Sequence, residues 1–313
     1  MSEWWVRLMP LVRKRRRVGL PHGVAAHSEG VATTTEPPMP DDADTLDDTA
    51  FPAWLLQSGT HAGAPMAAAE SQALAALEAV LRSARNAAEL LPRAPAVIPK
   101  LMSMLRQDER SLAAISQRVA SDVTLSAEVL RQAGSAAYRS ARDADLPPPD
   151  LHQALALLGV DGLRAVIARV VLRPVFDAQT GRLAGRAAAR AWRHAELEAH
   201  LAAQHARAHG VDPFDAYLGG LVHGSGWTVA WRTLDRLAEP LGLPASEGFV
   251  CRLLPLTDAL FGKVVAAWQL TPSLTSLCRE LRGGAPLHTR PLGAVLQHAR
   301  RQALSQMLAG EAA

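Results

Sequence analysis

Residues 184–209 read AGRAAARAWRHAELEAHLAAQHARAH, a stretch in which apolar residues recur at intervals of three and four. Ala, Leu, Arg, Gln and Glu, which all favour helices, fill most of it. At about 100° per residue, one stripe of the predicted helix contains His194, Leu197, Leu201 and His205, and the opposite side contains Glu196, His200 and Arg207. The sequence therefore predicts a long amphipathic helix that turns two imidazoles toward the interior.

The same spacing continues on both sides of this helix from Ala64 onward, with little of the strict alternation that is typical of strands. We predict helices near residues 66–91, 95–107, 110–120, 124–136, 150–158, 160–175, 184–209, 213–223, 226–238, 246–269, 272–282 and 289–309. Pro and Gly separate them, and no repeat of fixed period is visible, which favours one bundle over a solenoid. The predicted fold class is all-α.

The N-terminal region differs from the rest. A basic cluster at residues 13–17 is followed by five aspartates between residues 41 and 48. This charge pattern predicts a disordered arm over residues 1–62 and a helical domain over residues 63–313. The alternative for the arm is weak contact of residues 4–17 with an anionic membrane surface, because two tryptophans precede the basic cluster.

Composition excludes several classes of protein. The chain has 313 residues, of which 33 are basic and 30 are acidic, and beyond the arm the two signs alternate along the helices. This mixing argues against a nucleic-acid-binding surface. The two cysteines are too few for a disulfide scaffold or a Cys-based zinc site, and no apolar run reaches membrane-spanning length. We therefore predict a cytoplasmic protein.

Two short motifs resemble a known superfamily. Residues 191–194 read AWRH, residues 221–224 read LVHG at the end of an apolar helix, and together they resemble the helical HD phosphohydrolase superfamily. The resemblance implies that His194 and His223 occupy positions that, in active members, hold divalent metal for phosphoester hydrolysis. The paired aspartate of that pattern is Gly224 in this chain, and the later histidine position corresponds to Asp258.

Four motifs in the N-terminal half resemble one particular family within this superfamily. They are LPRAPAVIPKL at 91–101, SDVTLSAEVL at 121–130, GSAAY at 134–138 and ALALLGVDGLR at 154–164. In order and spacing they resemble the HDOD domain, the HD-related output domain of bacterial signalling proteins, over about residues 85–285. The resemblance implies a two-lobed helical bundle without enzymatic activity, in which the structural motif positions are Pro95, Asp122, Ser135, Leu158, Gly159 and Gly262. The family often has Asp-Pro where this chain has Asp122-Val123, and we expect Asp122 to cap the following helix.

These residues lead to one main functional hypothesis and two alternatives. Gly224 offers no side-chain oxygen to bridge two metal ions, so we interpret His194, His223 and Asp258 as vestigial, with no catalytic residue, metal or cofactor. The predicted function is a non-catalytic signalling or regulatory module that acts through protein–protein or small-ligand recognition, and the predicted partners are signalling proteins acting in trans. The alternatives are a degenerate metal-dependent phosphohydrolase that uses these three residues, and an arm-driven binder of nucleic acid or membrane surface.

Overall fold

The computed structural model describes residues 49–83, 87–91, 116–117, 119–134, 150–177 and 180–312. The helices in these ranges are α1 (Ala50–Leu56), α2 (Ala68–Arg82), α3 (Ala87–Leu90), α4 (Val123–Ala133), α5 (Leu151–Asp177), α6 (Arg182–Ala206), α7 (Pro213–His223), α8 (Ser225–Leu234), α9 (Glu247–Ala266), α10 (Pro272–Arg282) and α11 (Pro291–Ala312). The prediction of an all-α fold is confirmed. The predicted helix at 95–107 and most of the one at 110–120 lie outside the described residues, as do Pro95 and Ser135.

Local sequence signals set several helix boundaries. Asp212 accepts hydrogen bonds from the backbone N–H groups of Phe214 and Asp215, and proline occupies the first turn of α7. Asp122 likewise accepts from the N–H groups of the second and third residues of α4, so the predicted cap is present. Side-chain oxygens at these positions satisfy donors that the first turn of a helix leaves unpaired.

Gly159 divides α5 into the two helices predicted at 150–158 and 160–175. Its φ of 63° lies in the left-handed region, where glycine meets no Cβ penalty, and Leu158 beside it is buried. The chain changes direction there, and the second half of α5 packs against α6 and α7.

The predicted domain boundary at residue 62 is wrong. Helix α1 lies within the supposed arm, yet its side chains belong to the hydrophobic core: Phe51, Trp54, Leu55 and Leu56 are all buried. The acidic run just before this helix made the whole segment look unstructured, although aromatic and aliphatic residues at helical spacing follow it directly. The remainder of the predicted arm, residues 1–48, lies outside the described residues.

A short parallel pairing, which the sequence did not predict, ties the segment after α1 to the bundle. Strand β1 (Thr60–His61) pairs with β2 (Ala245–Ser246). Next to it, the buried Glu70 carboxylate of α2 accepts hydrogen bonds from the Ser246 N–H at 2.6 Å and hydroxyl at 2.7 Å, and from the Ala67 N–H at 2.8 Å. Three donors satisfy this buried carboxylate and hold the start of α2 against the start of α9.

Helix α6 lies in the middle of the bundle, where it packs against α7, α11, α5, α1 and α8. Glycine allows α7 to approach α6 closely, because a Cβ at Gly220 of α7 would lie 2.6 Å from the Cα of Ala199 on α6. Gly262 plays the same role between α9 and α10, where a Cβ would lie 2.9 Å from the Cys278 carbonyl oxygen. Within the described ranges, no helix combines the length and the apolar character needed to cross a bilayer.

Candidate functional site

The two motif histidines meet around a carboxylate. His194 lies on α6 and His223 is the last residue of α7, and both are buried. Between them lies Glu198, one turn after His194, whose carboxylate is 2.6 Å from His223 Nδ1 and 3.5 Å from His194 Nδ1. The sequence reasoning missed Glu198, although its i, i+4 spacing from His194 places both residues on one helix face.

The pocket contains a second carboxylate and a guanidinium. Asp258 of α9 lies 3.5 Å from His223 Nε2 and 3.3 Å from the Nη1 atom of Arg300 on α11. The backbone carbonyl of Arg300 accepts a hydrogen bond from His194 Nε2 at 3.0 Å. The structure therefore brings the three predicted residues His194, His223 and Asp258 together and adds Glu198 and Arg300 to them.

The two imidazoles have opposite protonation preferences. Burial lowers the pKa of His194 to about 4, with only partial opposition from the charge of Glu198. Burial also works against the charged form of His223, but the Glu198 charge and hydrogen bonding to Asp258 and Glu198 raise its pKa to about 9. At neutral pH, His194 is therefore neutral and His223 is an imidazolium. Burial, rather than repulsion by His223, is the main cause of the low pKa of His194.

Helix α1 covers this pocket. The Phe51 ring centroid lies 4.5 Å from that of His194 and 5.3 Å from that of Trp227. The remaining void has a volume of about 10 Å³, which is roughly the space of one water molecule. In this arrangement the void holds no ligand larger than a water molecule.

A group of contacts at the rim holds α1 in place. Arg190 of α6 donates to the Trp54 carbonyl at 3.1 Å, and its guanidinium lies 5.2 Å from the Trp54 ring centroid. Glu311 of α11 accepts from Trp54 Nε1 at 3.2 Å and pairs with Arg190 at 3.3 Å. Residues from α1, α6 and α11 thus close the pocket together.

The residues in this pocket do not fit a metal ion as they are arranged. The Glu198 carboxylate bonds the His223 imidazolium, and Asp258 pairs with Arg300. At Gly224 a Cβ would meet nothing within 4 Å, so space is available there but no side chain supplies a ligand oxygen. Across the described part of the chain, no group of three or more His, Cys, Asp or Glu side chains is placed to hold a metal ion.

The predicted division of α6 into an inward stripe and an outward face is wrong in part. Glu196 was expected to face away, but it is buried and lies 3.4 Å from the buried Arg169 of α5, which also pairs with Glu128 of α4. Burial raises the pKa of Glu196, while Arg169 opposes the shift. His200, also expected outside, packs edge-on against the Tyr217 ring at 5.3 Å. Helix α6 is enclosed on most sides, so a single amphipathic stripe does not describe it.

In this protein an all-helical bundle places two histidines from neighbouring helices around acidic side chains. This arrangement is related to that of the HD superfamily. The model of the HDOD domain matches residues 91–280, more than half of the chain. The chain belongs to the HDOD family. Comparisons with curated proteins and with solved structures found no match. The matched range includes His194, Glu198, His223 and Asp258, whereas α1 and Arg300, which close the pocket, lie outside it.

Proposed function

We propose that this protein is a non-catalytic signalling or regulatory module that acts in the cytoplasm by recognising signalling proteins in trans or a small ligand. The family to which it belongs is generally regarded as non-catalytic. The observation that carries the proposal is the state of the pocket: its carboxylates are engaged by Arg300 and His223, and α1 covers it.

Phosphoester hydrolysis requires metal ligands and open space that this pocket lacks. Two-metal hydrolysis uses a carboxylate to bridge ions about 3.5–4 Å apart, together with open positions for water and substrate. Gly224 supplies no such carboxylate, and the void of about 10 Å³ is far below the roughly 300 Å³ of a small ligand site. Both observations argue against turnover in this pocket.

An ionic connection between α4, α5 and α6 supports a role in recognition. Arg169 of α5 pairs with Glu128 of α4 and with Glu196 of α6. Glu196 lies between His194 and Glu198 in the sequence of α6, so the helix that carries the pocket is bonded directly to α5 and, through Arg169, to α4. A partner or ligand bound between residues 85–175 and 184–309 would bias the packing of α6, which is how such a module converts binding into a signal.

A hydrolysis assay tests the absence of catalysis. We expect no turnover of cyclic dinucleotides or simple phosphoesters with added Mn²⁺ or Fe²⁺, and none after Gly224→Asp, because Arg300 and His223 still engage the other carboxylates. Turnover that is abolished by His194→Ala would favour the alternative, a degenerate phosphohydrolase that uses His194, His223 and Asp258. That alternative has one observation in its favour, since the three residues do share a pocket.

A truncation tests the arm-driven alternative. The chain that begins at residue 49 keeps α1 and lacks the basic cluster of residues 13–17. We expect partner proteins captured from the native cell to be the same for this chain and for the full chain. Binding of the full chain to DNA or to anionic vesicles that falls steeply with salt, and that is lost in the truncated chain, would instead support the arm-driven binder.

A further inference from the structure

Arg300 is an unusual residue to find at the centre of the pocket. It is 5% exposed, and its guanidinium contacts Asp258 at 3.3 Å. Arginine keeps its charge at every accessible pH, so a buried guanidinium is strongly unfavourable unless a carboxylate compensates it. Its placement also depends on its own backbone, because the Arg300 carbonyl accepts the hydrogen bond from His194. Helix α11 thus inserts a permanent cation into the pocket.

The carboxylates of the pocket already have partners. Asp258 lies 3.3 Å from the Arg300 guanidinium, and Glu198 lies 2.6 Å from His223 Nδ1. A divalent ion would need the same carboxylate oxygens and an unprotonated imidazole, and it would be repelled by the guanidinium. Arg300 and a metal ion are therefore mutually exclusive occupants.

We infer that Arg300 takes the place of a metal ion in this pocket, where it holds Asp258 directly and Glu198 through His223. This inference rests on the proposed non-catalytic function and gives it a cause. The family pattern loses a metal ligand at Gly224, and α11 supplies a covalently attached cation in place of the ion. The fold then keeps its carboxylates compensated without depending on metal supply.

Replacing the cation tests the inference. In the full chain, Arg300→Met leaves Asp258 without its guanidinium, whereas Arg300→Lys keeps a positive charge at the same position. We expect Arg300→Met to lower the thermal midpoint by on the order of 10 °C, as for other broken buried ion pairs. Mn²⁺ or Zn²⁺, each added alone, should restore part of that loss and remain bound at about one ion per chain after gel filtration. For the wild type and for Arg300→Lys, neither ion should raise the midpoint or remain bound after gel filtration.

Several outcomes would overturn the inference. It is wrong if Arg300→Met melts with the wild type, or if it folds with a lowered midpoint that neither ion raises. If Arg300→Met does not fold, the double variant Arg300→Met/Asp258→Asn decides, because it removes one charge of each sign. In that case the double variant should fold cooperatively, and a double variant that also fails to fold contradicts the inference.

The same measurements separate this inference from the proposed function. A wild-type chain that binds Mn²⁺ and hydrolyses a phosphoester contradicts both. A wild-type chain that does neither, beside an Arg300→Met variant that gains no affinity for either ion, contradicts only the role assigned to Arg300.

Discussion

The free energy of unfolding should peak near pH 6.5 and fall on both sides, because burial lowers the pKa of both His194 and His223, but the carboxylates of Glu198 and Asp258 raise that of His223 above its ordinary value. The pKa of His223 is about 9 in the folded protein, against about 6.5 in the unfolded chain. Because folding raises the pKa of His223, its protonated form stabilises the folded protein fully below pH 6.5, and this stabilisation is lost as the pH rises to about 9. The pKa of His194 is about 4, so its contribution is complete above pH 6.5 and is lost as the pH falls toward 4.

The size of each effect follows from the two pKa values. Each histidine differs by about 2.5 pH units between the folded and the unfolded chain, which corresponds to about 3 kcal/mol per residue at the extremes. The pKa of His200 is also lowered to about 4 by burial. Two histidines therefore reduce the free energy of unfolding as the pH falls, and one reduces it as the pH rises. We expect the free energy of unfolding to fall more steeply below pH 6.5 than above it.

Urea denaturation of the full chain between pH 5 and 9 measures the free energy of unfolding on both sides of pH 6.5. The His223→Gln variant should lose most of the alkaline decline and keep the acid one, since His223 gains protons on folding throughout that range, whereas Cys278, whose pKa burial raises to about 12, contributes only near pH 9. The reasoning is refuted if wild-type stability is constant or rises from pH 6.5 to 9. It is equally refuted if His223→Gln shows the same alkaline decline as the wild type.

Three further predictions concern packing. Gly226→Ala should lower the free energy of unfolding by about 3 kcal/mol or more, because its Cβ would lie 2.0 Å from a backbone oxygen of α9. Lys263→Met should cost about 1–3 kcal/mol, since the ammonium donates to three backbone carbonyls at the end of α2. A chain that begins at residue 63 should melt more than about 10 °C below one that begins at residue 49, because it loses the buried side chains of α1.

Each of these changes has a matched control. Gly224→Ala places a Cβ in open space, so its stability should stay within about 1 kcal/mol of the wild type. Arg252→Met changes an exposed cation on the helix that carries Lys263. Chemical denaturation of all four variants decides the first two predictions: equal losses within either pair would contradict them. Equal midpoints for the two truncated chains would show that α1 adds nothing to the core.

The sequence predicts most helices because their signals are local. Apolar spacing and caps such as Asp122 and Asp212 act over a few residues, and the predicted bounds of α7 and α10 coincide with the observed ones. Local spacing also placed His194 on the inner side of α6. The same i, i+4 spacing places Glu198 on the side of α6 that carries His194.

Other features depend on tertiary packing. Arg300 follows His194 by 106 residues, and no local pattern connects an arginine of α11 to a pocket on α6. Glu196 was placed outside because a helix with one apolar stripe was assumed, whereas a partner from α5, Arg169, compensates its burial. The predicted domain boundary at residue 62 is wrong for a related reason. The neighbouring aspartates dominate the composition of this segment, although six apolar residues follow Ala50 in succession.

The position of Arg300 along the chain has a consequence for folding during synthesis. Glu198, His223 and Asp258 all leave the ribosome before it, and Arg300 follows Asp258 by 42 residues. Trp54 must then find Glu311, 257 residues away, before the rim contacts form. Contacts of such separation form slowly, and N-terminal segments fold first during translation. The nascent chain therefore passes through a stage in which most helices exist but the carboxylates still lack their guanidinium, and this stage is where we expect chaperones to engage it.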